Sequence, residues 1–122
     1  MKYIGIIPAR FQSTRFPGKP LCKIGGKAMI QRVYEQALKV TLFSEIWVAT
    51  DDERIFNLVT AFGGKAMMTS SSHRSGTERC AEVYRNLMIN YTDNDTVIVN
   101  IQGDEPFIRP QQIEELLSVF NQ

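Results

Sequence analysis

Sulfur ligands, histidine and long apolar runs are all scarce in this chain, and each scarcity removes a class of protein. The 122 residues hold two cysteines, Cys22 and Cys80, far apart and without CxxC spacing. Neither a zinc site nor a disulfide framework is suggested, and buried, reduced thiols are the expectation. His73 is the sole histidine and has no partner at metal-ligand spacing, so it reads as structural or as a support behind the residues that touch a ligand. No apolar run is long enough to cross a bilayer, and Met1 to Pro8 is too short and too poor in flanking charge for a signal peptide. A soluble cytoplasmic protein with no membrane partner is therefore expected. Two phosphate-binding fingerprints are missing as well. GxGxxG is absent, which argues against nicotinamide and flavin dinucleotides. A Walker A loop fails because Ala28 follows Lys27 and Leu21 stands at its first glycine position. No internal repeat, low-complexity tract or linker interrupts the chain, which reads as one domain or one piece of one.

What is present is an uneven distribution of charge. Overall the chain carries only +1, but residues 1–39 hold eight cations against Glu35 alone, a balance of +7, and the remainder is −6. A basic N-terminal third concentrates an anionic ligand. With few cations, no aromatic platform and no nucleic-acid motif, a small polyphosphate is preferred over nucleic acid.

The apolar pattern predicts four repeats of strand then helix. Tyr3 to Ile7, Ile46 to Ala49, Lys65 to Met68 and Thr96 to Ile101 read as strands, the last so continuously apolar that a central strand covered on both faces is expected. Helical spacing joins Met29, Ile30, Val33, Tyr34, Ala37 and Leu38, then Ile55, Leu58, Val59 and Phe62, then Cys80, Ala81, Tyr84, Leu87 and Met88. Thr50 with Glu53, and Ser75 with Glu78, have capping-box spacing, Gly63-Gly64 ends the second helix, and Pro110 suits the first turn of a last one. Such alternation implies an α/β fold, a mostly parallel sheet with helices on both faces, whose ligands bind beyond the carboxyl ends of the strands.

The informative residues lie at those ends. After the first strand come Arg10, Arg15 and Lys19 with Ser13 and Thr14, cations and hydroxyls suited to phosphate oxygens, on a path stiffened by Pro8, Pro17 and Pro20 and turned at Gly18. A solvated basic loop is the alternative. After the last strand, Gln102, Gly103 and Asp104 offer close backbone approach and one carboxylate for Mg²⁺, or else merely start a turn before Pro106; for Glu105 both readings stay open. Arg74, Ser75 and Gly76 precede the third helix, whose free N–H groups suit a base carbonyl or a phosphate, and Ser75 also suits an N-cap. Asp51 and Asp52 read as charging and capping a helix start, with direct metal binding as the lesser alternative.

"IIPARFQSTRFPGKPL" resembles the N-terminal signature of the 3-deoxy-manno-octulosonate cytidylyltransferases, and "ATDDERI", "HRSGTER" and "VNIQGDEPFI" are similar to later motifs of that family, in the same order. Phe16 and Glu78 are mild departures where leucine and aspartate are more familiar. The resemblance implies a three-layer αβα, nucleotide-diphospho-sugar transferase-like (Rossmann-like) fold, with residues 1–122 as the nucleotide-binding part of a longer single-domain enzyme. It implies CTP and 3-deoxy-manno-octulosonate as substrates, CMP-Kdo for lipopolysaccharide as product, Mg²⁺ on Asp104, and a homodimer for the full-length protein. It assigns Arg10 and Lys19 with Asp104 to catalysis. For CTP it implies Pro8, Ala9, Arg10, Ser13, Thr14, Arg15, Lys19, Arg74, Ser75, Gly76, Gln102 and Gly103, with 74–76 helping to read cytosine or ribose. The alternatives are a cytidylyltransferase for another sugar such as sialic acid and, more distantly, a receiver-type signalling domain, which would need acids where this chain has Arg10 and Lys19.

Overall fold

Three isoleucines, Ile4, Ile6 and Ile7, are almost wholly removed from solvent, because the strand that carries them is hydrogen-bonded on both sides and covered on both faces. In this computed structural model, which describes residues 2–11, 18–71, 75–88, 96–101 and 109–118, that strand is β1 (Lys2–Pro8). A short hairpin, β2 (Lys23–Ile24) and β3 (Lys27–Ala28), leads into α1 (Met29–Leu38). There follow β4 (Phe43–Thr50), α2 (Glu53–Ala61), β5 (Lys65–Met68), α3 (Gly76–Met88), β6 (Thr96–Asn100) and α4 (Pro110–Ser118).

The four longer strands form one sheet in the order β5-β4-β1-β6, every pairing parallel. The chain thus runs outward from β1 through β4 to β5 and then returns to the opposite flank. That reversal puts the topological switch point at the carboxyl ends of β1 and β6.

Alternation along β1 divides the core. Ile7 packs with Ile30, Val33, Ile55 and Val59 of α1 and α2, and Tyr3 packs with Ile113 of α4. Ile4 and Ile6 face the other way, onto Cys80, Val83 and Leu87 of α3. The result is the three-layer αβα arrangement expected. No helix among the described residues is long and apolar enough to cross a membrane.

Several local expectations are corrected. Of the two readings of the start of α2, the Asp52 cap holds and the Thr50 capping box does not, since Thr50 is the fully buried last residue of β4. Leu38 is mostly exposed, because it ends α1 where the helix leaves the sheet. On α3 the buried stripe runs through Val83 rather than Tyr84, which is exposed. Tyr84 instead lines, with Thr77, Cys80, Ala81, Ile98 and Asn100, a groove of about 380 Å³ between α3 and β6. Among the described residues β6 pairs only with β1, and Thr96 to Val99 are half-buried where fuller burial was expected.

Two measurements check this packing. Ile6→Ala removes a fully buried side chain and should cost about 2–5 kcal/mol in urea unfolding with an unchanged m-value; a loss below about 1 kcal/mol would contradict the packing of α3 on β1. Burial pushes the Cys80 thiol up to about 11, only partly offset by neighbouring Arg79. Iodoacetamide at pH 8 should therefore alkylate half-buried Cys22 and spare Cys80 until the protein unfolds. Equal labelling of both in the native protein would contradict the fold.

Candidate functional site

The ladder of β1 extends one residue past the strand, where the Ala9 N–H donates to the Ala49 carbonyl at 2.8 Å. Ala9 is buried and Arg10, the next residue, is exposed. Phe11 then closes a neck. Its carbonyl accepts the Gly18 N–H at 2.7 Å, so residues 11 and 18 stand together at the base of 12–17. Gly18 has φ 76°, and a Cβ there would lie 2.8 Å from the Phe11 ring, so both backbone and space demand glycine. Lys19 opens a single 3-10 turn, Lys19–Leu21, anchored by buried Pro20. Arg10 and Lys19 therefore flank one hydrogen bond.

The neck is tied to the neighbouring βα turn. The Arg54 guanidinium lies 3.5 Å from the centre of the Phe11 ring and donates to both carboxylate oxygens of Asp52, at 3.1 and 2.8 Å. Asp52 also accepts the backbone N–H groups of Arg54 (2.9 Å) and Ile55 (3.4 Å), capping α2. The Arg54 side chain, ahead of those backbone donors, holds the Asp52 carboxyl below its ordinary range against the opposing effect of burial. Beyond the turn, Arg32 secures the hairpin by donating to the carbonyls of Ile24 and Gly25.

The start of α3 reaches the same edge. Ser75 accepts the Glu78 N–H on its hydroxyl at 3.2 Å, as its spacing predicts. Gly76 packs so closely that a Cβ would lie 3.0 Å from Pro8 Cγ and 3.8 Å from Asn100 Nδ2. The ends of β1 and β6 and the first turn of α3 thus meet at the switch point.

Of the site residues named from the sequence, Pro8, Ala9, Arg10, Lys19, Ser75 and Gly76 are brought to this edge. Ser13, Thr14, Arg15, Arg74, Gln102, Gly103 and Asp104, with His73 and Glu105, lie outside the described residues. Two participants escaped the sequence reading. Arg54 was read only as part of "ATDDERI", and its stacking on Phe11 has no short-range signal. Arg79 is almost fully buried and ion-paired to Asp51 at 3.7 Å. Its signal was its place on the stripe of Val83 and Leu87, where a cation is out of pattern.

Comparisons with known proteins show the family and the fold. A family model described as cytidylyltransferase matches residues 4–122. The chain is 59% identical, over 98% of its length, to a Parabacteroides distasonis protein named 3-deoxy-manno-octulosonate cytidylyltransferase, and 57% identical over the same share to one so named from Phocaeicola vulgatus. It spans 45% of each, about half the length of these curated relatives. Among solved structures, a CMP:2-keto-3-deoxy-manno-octonic acid synthetase complexed with CTP superposes with a TM-score of 0.89 at 50% identity, covering 99% of this chain and 48% of that one.

The Asp52 cap carries its own test. A depressed folded-state pKa contributes stability that is full above the unfolded value near 3.8 and is lost as pH falls through the lower folded value. Asp52→Ala should cost about 0.5–2 kcal/mol at pH 7. That gap from the wild type should narrow in unfolding curves taken toward pH 3, and a gap of constant size would show that the charge contributes nothing.

Proposed function

Because the chain belongs to the cytidylyltransferase family, we propose that it forms the nucleotide-binding part of an enzyme that transfers a cytidylyl group from CTP to 3-deoxy-manno-octulosonate, giving CMP-Kdo and pyrophosphate. The observation that carries the reading is the meeting of Pro8, Gly76 and Asn100 at the switch point, with Arg10 and Lys19 flanking the neck just beyond β1. The relatives' names support the substrates, and the related structure solved with CTP supports the nucleotide.

In this proposal the sugar's anomeric hydroxyl attacks the α-phosphorus in line as the bond to pyrophosphate breaks. The protein's share is positioning and charge neutralisation. Arg10 and Lys19 bind the triphosphate, Arg15 takes its β/γ end, and Ser13 and Thr14 add hydroxyl donors. Arg74, Ser75 and Gly76 meet the base or ribose at the amino end of α3, and Gln102 and Gly103 approach from beyond β6. Asp104 would hold Mg²⁺. A single hard carboxylate completed by phosphate oxygens is a donor set this ion accepts. Among the described residues no group of three or more His, Cys, Asp or Glu forms a rival site. Bound there, the ion neutralises triphosphate charge and polarises the reacting phosphate.

Calorimetry with CTP and Mg²⁺ tests the reading. The 122-residue chain should bind CTP more weakly as salt rises, and Arg10→Ala or Lys19→Ala should each lower affinity roughly tenfold to a hundredfold, the equivalent of about 1.5–3 kcal/mol. With the sugar added, no pyrophosphate should be released. Alignment of the sugar hydroxyl is worth roughly 7–11 kcal/mol of barrier, and the resemblance puts the sugar pocket in sequence that this chain does not contain. Unchanged affinity in both variants would remove the phosphate role, and substantial turnover would show the catalytic apparatus to be misassigned.

A further inference from the structure

Phe11 carries three contacts that meet at one place. Its carbonyl accepts the Gly18 N–H at 2.7 Å, its ring lies so close to Gly18 that a Cβ there would be 2.8 Å away, and the Arg54 guanidinium sits 3.5 Å from the ring centre. Arg54 is itself oriented by Asp52, whose two carboxylate oxygens accept its Nε and Nη2 at 3.1 and 2.8 Å. The chain neighbours of this joint are the two cations assigned to the triphosphate. Arg10 stands between Phe11 and Ala9, whose N–H is fixed to the Ala49 carbonyl at 2.8 Å, and Lys19 stands between Gly18 and buried Pro20.

Stability is weak grounds for the Arg54 contacts. Its side chain is 59% exposed, where solvent screens an ion pair. The Asp52 cap also needs no more than the backbone N–H groups of Arg54 and Ile55, which any residue at position 54 other than proline would supply. What the side chain adds is a plate over Phe11. A planar guanidinium can lie on an aromatic face while its edge donates to a carboxylate through two N–H groups, which a lysine ammonium cannot do. We propose that Arg54 is a positioning residue for the phosphate grip: held by Asp52, it clamps Phe11 onto Gly18 and so keeps together the two backbone segments that carry Arg10 and Lys19. This inference rests on the reading above that gives those cations to the triphosphate of CTP. It assigns Arg54 no contact with the ligand.

A double-mutant cycle on binding supplies the test. Calorimetry with Mg²⁺ measures inorganic tripolyphosphate and CTP on the wild-type chain, Arg54→Ala, Phe11→Leu and the double variant, at a temperature where melting curves show all four folded. Each single change should weaken both ligands about two- to fivefold, and the double variant should lose little more than the worse single one, because both changes open the same clamp. Losses that multiply in the double variant would mean that Arg54 acts on the ligand without Phe11, and would overturn the proposal. A lowered melting temperature with unchanged tripolyphosphate affinity in Arg54→Ala would overturn it too, leaving Arg54 a part in stability alone. A wild-type chain that does not bind tripolyphosphate would bring down the phosphate roles of Arg10 and Lys19 and the clamp with them. If the wild type binds CTP no better than tripolyphosphate, the nucleotide reading falls, and coupled losses on tripolyphosphate still establish the clamp.

Discussion

The double pairing of β1, with β4 on one side and β6 on the other, is the constraint on which the rest of the molecule depends. A parallel strand buried on both faces must satisfy every backbone group through its neighbours, and its side chains must suit two different helical layers. The isoleucines of β1 meet the second demand, alternating between α3 and the α1–α2 layer. Once β1 is central, the chain reversal falls beside it.

Charge is organised around the same edge. Arg10 and Lys19 follow β1, and the acids that follow β4 are engaged locally, Asp52 with Arg54 and α2, Asp51 with Arg79. Those two carboxylates are thereby partly neutralised, which leaves the cations beyond β1 less opposed. The Lys27–Glu35 pair at 3.1 Å acts differently. It lies on the exposed side of α1, where solvent screens it and its contribution to stability is small.

Much of this was legible in the sequence because it rests on short-range periodicity. Strand and helix alternation, the Ser75 cap, the Gly63-Gly64 stop and Pro110 at the head of α4 all depend on residues a few positions apart. The errors arose where a short pattern had two physical readings. Thr50-x-x-Glu53 has capping-box spacing, but β4 runs through Thr50 and Asp52 offers the better carboxylate. An apolar run such as Thr96 to Ile101 signals burial without saying how many strands stand beside it; among the described residues β6 has one neighbour. The hairpin of Lys23–Ile24 with Lys27–Ala28 was missed because two residues per strand make no pattern. The positions of Pro8, Ala9, Arg10, Lys19, Ser75 and Gly76 at the strand ends were legible from the element order, whereas the Arg54–Phe11 stack and the Arg79–Asp51 pair join residues far apart in sequence.

The neck between Phe11 and Gly18 has a consequence for the entropy of recognition. A flexible eight-residue segment loses on the order of (3/2)RT ln 8, about 2 kcal/mol beyond a constant, when its ends are brought together. Here the ends are joined by a backbone hydrogen bond and held by the Arg54–Phe11 stack, so closure occurs on folding and not on ligand capture. That joining bond is between uncharged backbone groups and responds little to ionic strength.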